Sequence, residues 1–180
     1  MKVNVLRGTI LPEKEIIDYF GEELVKGKLL LDGKEFPLLG SKRALLKPTG
    51  KCNIECILAQ DQLAKGHRNT YLYVIRADIC EDQTVKDKNK FKLEGVVDKI
   101  YPTTFTGSSA TPLTRVKLRC PLRDRKRAFI DIHTAGDKSD KCASINVGYY
   151  VTSQCYLDIY RGEMSFHALT LRYTVPKKTK

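Results

Sequence analysis

Arg115, Lys117 and Arg119 occupy every second position in the stretch TRVKLRCPLRDRKRAFIDIH, residues 114–133, and Val116, Leu118 and Cys120 fill the places between and after them. In an extended chain alternate side chains point to opposite faces. The three cations therefore share one face, backed by hydrophobes, and the chemistry open to that face is the binding of a polyanion. The turn that follows adds Arg123, Arg125, Lys126 and Arg127, diluted only by Asp124. Beyond it Phe129, Asp131 and His133 alternate with Ile130 and Ile132, and Tyr156, Asp158 and Tyr160 alternate with Leu157 and Ile159. Tyr149 and Tyr150 are adjacent, so one of them faces outward if they lie in a strand. Lys and Arg neutralise phosphates while aromatic rings stack on unpaired bases, at about 1–3 kcal/mol per base whatever the sequence. Contact with about five phosphates would make log affinity fall with log salt at a slope near −3.5.

Other constellations support less. Cys52 and Cys56, with His67 and Cys80 downstream, have one metal-type pair where structural zinc sites generally use two. Their alternation with Ile54 and Leu58 makes the cysteines read as small core residues. The run from Gly21 to Lys28 resembles a phosphate-binding loop, but it is one residue too long and Leu29 stands where Ser or Thr is needed. It is expected to be a helix C-terminus. The histidines His67, His133 and His167 share no catalytic motif. Asp131 and His133 lie on one strand face, where such a pair is expected to be structural. No catalytic residue, metal or cofactor is expected.

The elements that position these residues are mostly strands. The chain has 180 residues, a net charge of +11, a hydrophobic fraction of 42% and no tryptophan. That length suits one domain, and the hydrophobic fraction is that of a chain with a core. The positive charge favours anionic partners, yet it forms no long block apart from the basic tail at residues 176–180. No segment reads as a membrane span or secretory signal. The six cysteines are therefore expected to be reduced, and the location intracellular: cytoplasm, nucleus, or a host cell if the protein is viral.

Along the chain, a short strand is expected at 2–6 and a helix at about 13–26, opened by Pro12, with Ile16, Phe20 and Leu24 on one face and Gly27 as its stop. Asp32-Gly33 between apolar runs predicts a hairpin over 28–39. Strands follow at 43–47, 52–59 and 70–79, and the charged segment 81–90 reads as a linker. The second half is nearly all strand: 91–101 with Gly95 in its middle, a loop over 102–112, strands at 114–120 and 128–133, a polar connection over 134–144 with room for a short helix, and strands over 145–159 and 165–175. No internal repeat is visible.

Five strands in this order, with a mid-strand glycine in the first and room for a helix between the third and fourth, describe a small Greek-key barrel. On these residues the region 91–175 resembles the OB fold of single-stranded DNA-binding proteins. The resemblance implies a mostly β fold: an OB-like barrel core at 91–175, an N-terminal extension at 1–81 with further strands and one helix, and a single domain over 1–180. It also implies that strands two and three, with the loops after strands one and four, hold the nucleic acid: Arg115, Lys117, Arg119, Phe129 and His133, with Phe105 in one loop and Arg161 in the other. The basic tail, where bacterial members carry an acidic one, and the missing tryptophan point toward a viral or phage relative.

The function expected is sequence-independent binding of single-stranded nucleic acid, DNA ahead of RNA, in replication, recombination or repair, by a chain that self-associates and engages no membrane. A capsid or coat protein built as a β-sandwich or jelly roll is the alternative, and an RNA-binding protein a third reading.

Overall fold

The computed structural model describes residues 3–48, 50–60, 69–106, 110–122 and 127–176. They form two compact units. Among these residues, one unit holds 3–90 with Leu122 and Ile159–Met164, and the other holds 91–121, 127–158 and 165–176.

The N-terminal unit is a closed barrel. Its strands are β1 (Asn4–Tyr19), β2 (Glu22–Leu31), β3 (Lys34–Gly40), β4 (Lys51–Gln60) and β5 (Thr70–Ile79), joined in the order β1-β2-β3-β5-β4. Leu6, Ile10, Leu29, Phe36, Leu38, Ile54 and Leu72 fill its interior at 2% exposure or less. Each such side chain stabilises by roughly 1.5–3 kcal/mol, and a one-residue slip would turn a whole strand's set outward, so burial fixes the register.

The closed barrel thus lies in the half that the sequence reading treats as an extension. The expected helix over 13–26 is the end of β1, a turn and the first half of β2. Phe20 and Gly21 both take positive φ, 54° and 83°, and the Asp18 carboxylate accepts the Gly21 N–H at 2.6 Å. That is the chemistry of a two-residue hairpin turn. Ile16 and Phe20 are exposed while Leu24 is buried, so the three do not share a face. Pro12 stands beside a register shift between Pro12 and Ile16, where a bulge accommodates an imide without an N–H. Here pairing to distant strands outweighs a local helical period.

The strand expected at 43–47 is a helix, α1 (Lys42–Leu46), capped by the Ser41 hydroxyl, which accepts the Ala44 N–H at 3.2 Å. Leu45 is fully buried, which ties the short helix to the core. The expected linker at 81–90 is bound to its own unit. Lys88 and Arg7 exchange backbone hydrogen bonds, and Asp87 accepts from the Asp32 N–H and the Lys51 ammonium.

The later elements are β6 (Phe91–Ile100), β7 (Thr104–Thr106), β8 (Thr111–Pro121), β9 (Arg127–Ala135), α2 (Asp137–Lys141), a 3-10 turn (Cys142–Ser144), β10 (Tyr150–Tyr160) and β11 (Glu163–Thr174), all of the C-terminal unit except the facing ends of β10 and β11 within Ile159–Met164. The sheet order is β6-β10-β11-β9-β8-β7, and β6 also pairs with β8. Leaving β7 aside, the pairing order is therefore first-second-third-fifth-fourth, as in the N-terminal barrel. The third and fifth strands run parallel in both units. This is not the two-sheet arrangement of a jelly roll. Part of the loop expected at 102–112 is the short strand β7, and residues 145–149 precede β10 rather than belong to it.

Gly95 is required by close approach. A Cβ there would sit 2.8 Å from the Arg119 carbonyl oxygen on β8, and one on Gly8 would sit 2.5 Å from the Leu30 carbonyl oxygen on β2. In both units the first strand comes so close to the second that one residue must lack a side chain.

Candidate nucleic-acid interface

On β8 Val116, Leu118 and Cys120 are buried, while Arg115 and Arg119 are exposed and Lys117 is partly so. The β8–β9 register sets Arg115 opposite His133, Lys117 opposite Asp131 and Arg119 opposite Phe129. Cations and rings therefore occupy one outer face, with Ile130 and Ile132 turned inward.

Neighbouring strands extend this pairing into three rows. In the first, Tyr150 on β10 opposes Val96 on β6, Val96 opposes Arg119, and Arg119 opposes Phe129. Tyr150 and Phe129 are 43% and 46% exposed, so each end of the row carries an available ring. In the second, Lys99 opposes Lys117 and Lys117 opposes Asp131. In the third, Arg115 opposes His133, and the parallel β9–β11 pairing sets His167 against His133. The His133 and His167 rings stack at 5.3 Å, and Tyr156 stacks on His167 at 4.8 Å with planes 10° apart. Phe129 and His133 are four residues apart on one strand, about 13 Å. Arg127, exposed at the start of β9, continues the same face.

The charges on this face remain mostly available. Tyr101 lies among three cations: the Arg115 guanidinium is 3.7 Å from the ring centroid, the Lys99 ammonium 4.7 Å and the Lys117 ammonium 5.7 Å. A hydrogen bond to the Tyr101 hydroxyl holds the Lys117 ammonium above its ordinary pKa. Asp131 is the carboxylate within the rows, 3.6 Å from Arg115. Asp98 sits at the bulge between Val97 and Lys99, and Glu94 is held by Lys92 and Tyr150. Burial pulls His133 below its ordinary pKa, Asp131 opposes that shift and Arg115 adds to it.

Other expected site residues are placed differently. Phe105 is 68% exposed on β7, opposite Pro112 and outside the three rows. Tyr160 and Arg161, cation over ring at 5.2 Å, belong to the N-terminal unit. Arg123, Arg125 and Lys126 lie outside the described residues, as does His67. Cys52, Cys56 and Cys80 are buried free thiols. Burial raises the Cys120 and Cys155 thiols to about 12, as suits core residues rather than nucleophiles. The run from Gly21 to Lys28 is a turn and a strand, not a helix end. Lys99, Tyr101 and His167 escape the sequence reading. Lys99 comes into the rows through a bulge, and His167 through a parallel pairing between strands distant in sequence.

The outer surface of the N-terminal barrel differs. Lys26 pairs with Glu15, Lys28 with Glu35 at 2.8 Å and with Glu13 at 3.7 Å, and Lys42 with Glu23 at 3.7 Å.

No protein-family model and no curated protein sequence matches the chain. Solved structures do. The wild-type single-stranded DNA binding protein from Thermus aquaticus superposes with a TM-score of 0.75 at 14% identity, over 98% of this chain and 94% of that one. A deletion mutant of the same protein gives 0.75 at 15% identity, over 97% and 96%. At this identity the likeness establishes a shared fold, and it spans both units. These relatives in fold are bacterial, and nothing in the likeness supports the viral or phage type that the basic tail and missing tryptophan suggested. Among the described residues no helix is long and apolar enough to cross a membrane.

Proposed function

We propose that this chain binds single-stranded DNA without reading its sequence, through the outer face of β8 and β9 and their neighbours, and that it serves replication, recombination or repair rather than catalysing a reaction. The observation that carries this is the β8–β9 register, which sets Arg115, Lys117 and Arg119 against His133, Asp131 and Phe129 on one face. Cations alone would suit any nucleic acid. Exposed rings spaced between them favour a strand whose bases are unpaired and free to stack. The fold shared with a protein named for binding single-stranded DNA favours DNA over RNA. Buried free thiols fit a reducing, intracellular setting. Self-association belongs to the same reading, with exposed Val3 and Val5 on the N-terminal unit as apolar surface for it.

Fluorescence anisotropy with oligo-dT, oligo-U and duplex DNA over a salt series tests the proposal. The expected result is salt-sensitive binding to oligo-dT, tighter than to oligo-U or duplex. Absence of oligo-dT binding at low salt would overturn it.

A further inference from the structure

The third row ends in a cavity of about 380 Å³, lined among others by Tyr101, Pro102, Leu113, Arg115, His133 and His167. Ligand pockets run from about 300 to 1,000 Å³, so this one is at the small end, a size for one nucleotide and not for a base pair. Two of its walls are flat. One is Tyr101 with the Arg115 guanidinium over its ring, and the other is the His133–His167 stack, which Tyr156 continues.

The polar groups of the cavity divide into two kinds. Two of its threonines are satisfied within the fold: the Thr114 hydroxyl bonds to Ser139 and Thr103, and the Thr134 hydroxyl donates to the Thr114 carbonyl, while Thr104 is a third lining residue. The His133 imidazole makes a ring contact but no hydrogen bond among the described residues. An imidazole that lines the cavity and is not tied by a hydrogen bond can present its ring to a base for stacking. Just outside, Lys99, Arg115 and Lys117 gather around Tyr101 within 6 Å of its ring, and Asp131 steadies Arg115 from 3.6 Å. Guanidinium and ammonium groups converging at that range suit a phosphate.

We propose that the cavity seats one nucleotide of the bound strand, its base against the His133–His167 stack and its phosphate on the Lys99, Arg115 and Lys117 cluster. The strand is then fixed at one position, while the remaining rings and cations hold the rest of it loosely. The inference rests on the single-strand binding proposed above and adds to it a defined subsite.

The test follows the imidazole NMR signals of His133 and His167 in the full chain, assigned by His→Ala variants. The chain is titrated with dT8 and with an abasic 8-mer of equal charge, and anisotropy reports binding of each. The expected result is that dT8 moves both imidazole signals saturably and the abasic strand leaves them in place. The double variant His133→Ala/His167→Ala should bind dT8 roughly tenfold more weakly, within the 1–3 kcal/mol of one stacked base, and bind the abasic strand as before. If dT8 binds without moving those signals, or the abasic strand moves them equally, the cavity does not hold a base, and the subsite is overturned while single-strand binding stands. If neither strand binds at low salt, both proposals fall.

Discussion

The two units share a strand order and differ in what their outer faces offer. Each brings its first strand close against the second at a glycine, Gly8 or Gly95, and each runs its third and fifth strands parallel. On the N-terminal barrel the lysines of β2 are matched by Glu13, Glu15 and Glu35. On the C-terminal unit Lys99 and Lys117 share a row with Asp131, which also lies 3.6 Å from Arg115, while Arg119 shares its row with Phe129 and Arg115 with His133. Ion pairing among surface side chains contributes little to stability, but it occupies the charges a phosphate would need. The comparison teaches that pairing order fixes where side chains can stand, and that the two faces differ in how far their cations are matched by carboxylates.

The sharpest way to break the comparison is to strip each face in turn. Arg115→Ala/Lys117→Ala/Arg119→Ala should weaken oligo-dT binding by roughly a hundredfold or more and make the salt slope shallower by about 2, one phosphate contact per residue. Lys26→Ala/Lys28→Ala should leave both within about twofold, because each lysine already has a carboxylate partner. Equal losses from the two variants would erase the distinction between the units. Anisotropy over 0.05–0.5 M salt measures both.

A smaller effect is expected from one ring. Phe129→Ala should cost about 1–3 kcal/mol of binding, roughly five- to 150-fold, with the salt slope unchanged, because it removes stacking and no charge. A changed slope would mean that the ring orders the cations instead. The likeness between the units can be sharpened with Gly8→Ala and Gly95→Ala. Each forces a Cβ against a backbone oxygen and should destabilise its unit by about 1–3 kcal/mol, read by thermal or denaturant unfolding.

The smallest effect is that of pH. Burial depresses the His133 pKa in the folded chain, so the neutral ring is favoured. Its contribution to stability is present above the ordinary value near 6.5 and is lost as pH falls through the lower folded value. A bound phosphate nearby favours the charged ring. Affinity for oligo-dT should therefore rise a few-fold between about pH 7.5 and pH 5.5, while the stability of the free protein falls slightly. His133→Gln should flatten the His133 share of both changes.

Much of the C-terminal face was legible because it rests on local alternation. Arg115, Lys117 and Arg119 could be assigned to one side of β8 from spacing alone, and the aromatic side of β9 followed likewise. What spacing could not give was long-range register. Lys99 enters the face through the β6 bulge, His167 through the parallel β9–β11 pairing, and Tyr101 through its position at the end of β6. The N-terminal barrel was hidden for a related reason. Ile16, Phe20 and Leu24 fit a helical period by accident, and the Phe20-Gly21 turn carries none of the Asn-Gly or Asp-Gly signal that marked Asp32-Gly33. Ser41 is a helix-start residue for α1, and the apolar residues after it, Ala44, Leu45 and Leu46, suit a strand equally.

Photocrosslinking of an iodouracil-substituted oligo-dT to the full chain, with the linked peptides sequenced, addresses the location of the strand most directly. Crosslinks at Phe129, Tyr156 and the rings near them on the C-terminal unit are the predicted result. Crosslinks confined to β2 and β3 of the N-terminal barrel would contradict it.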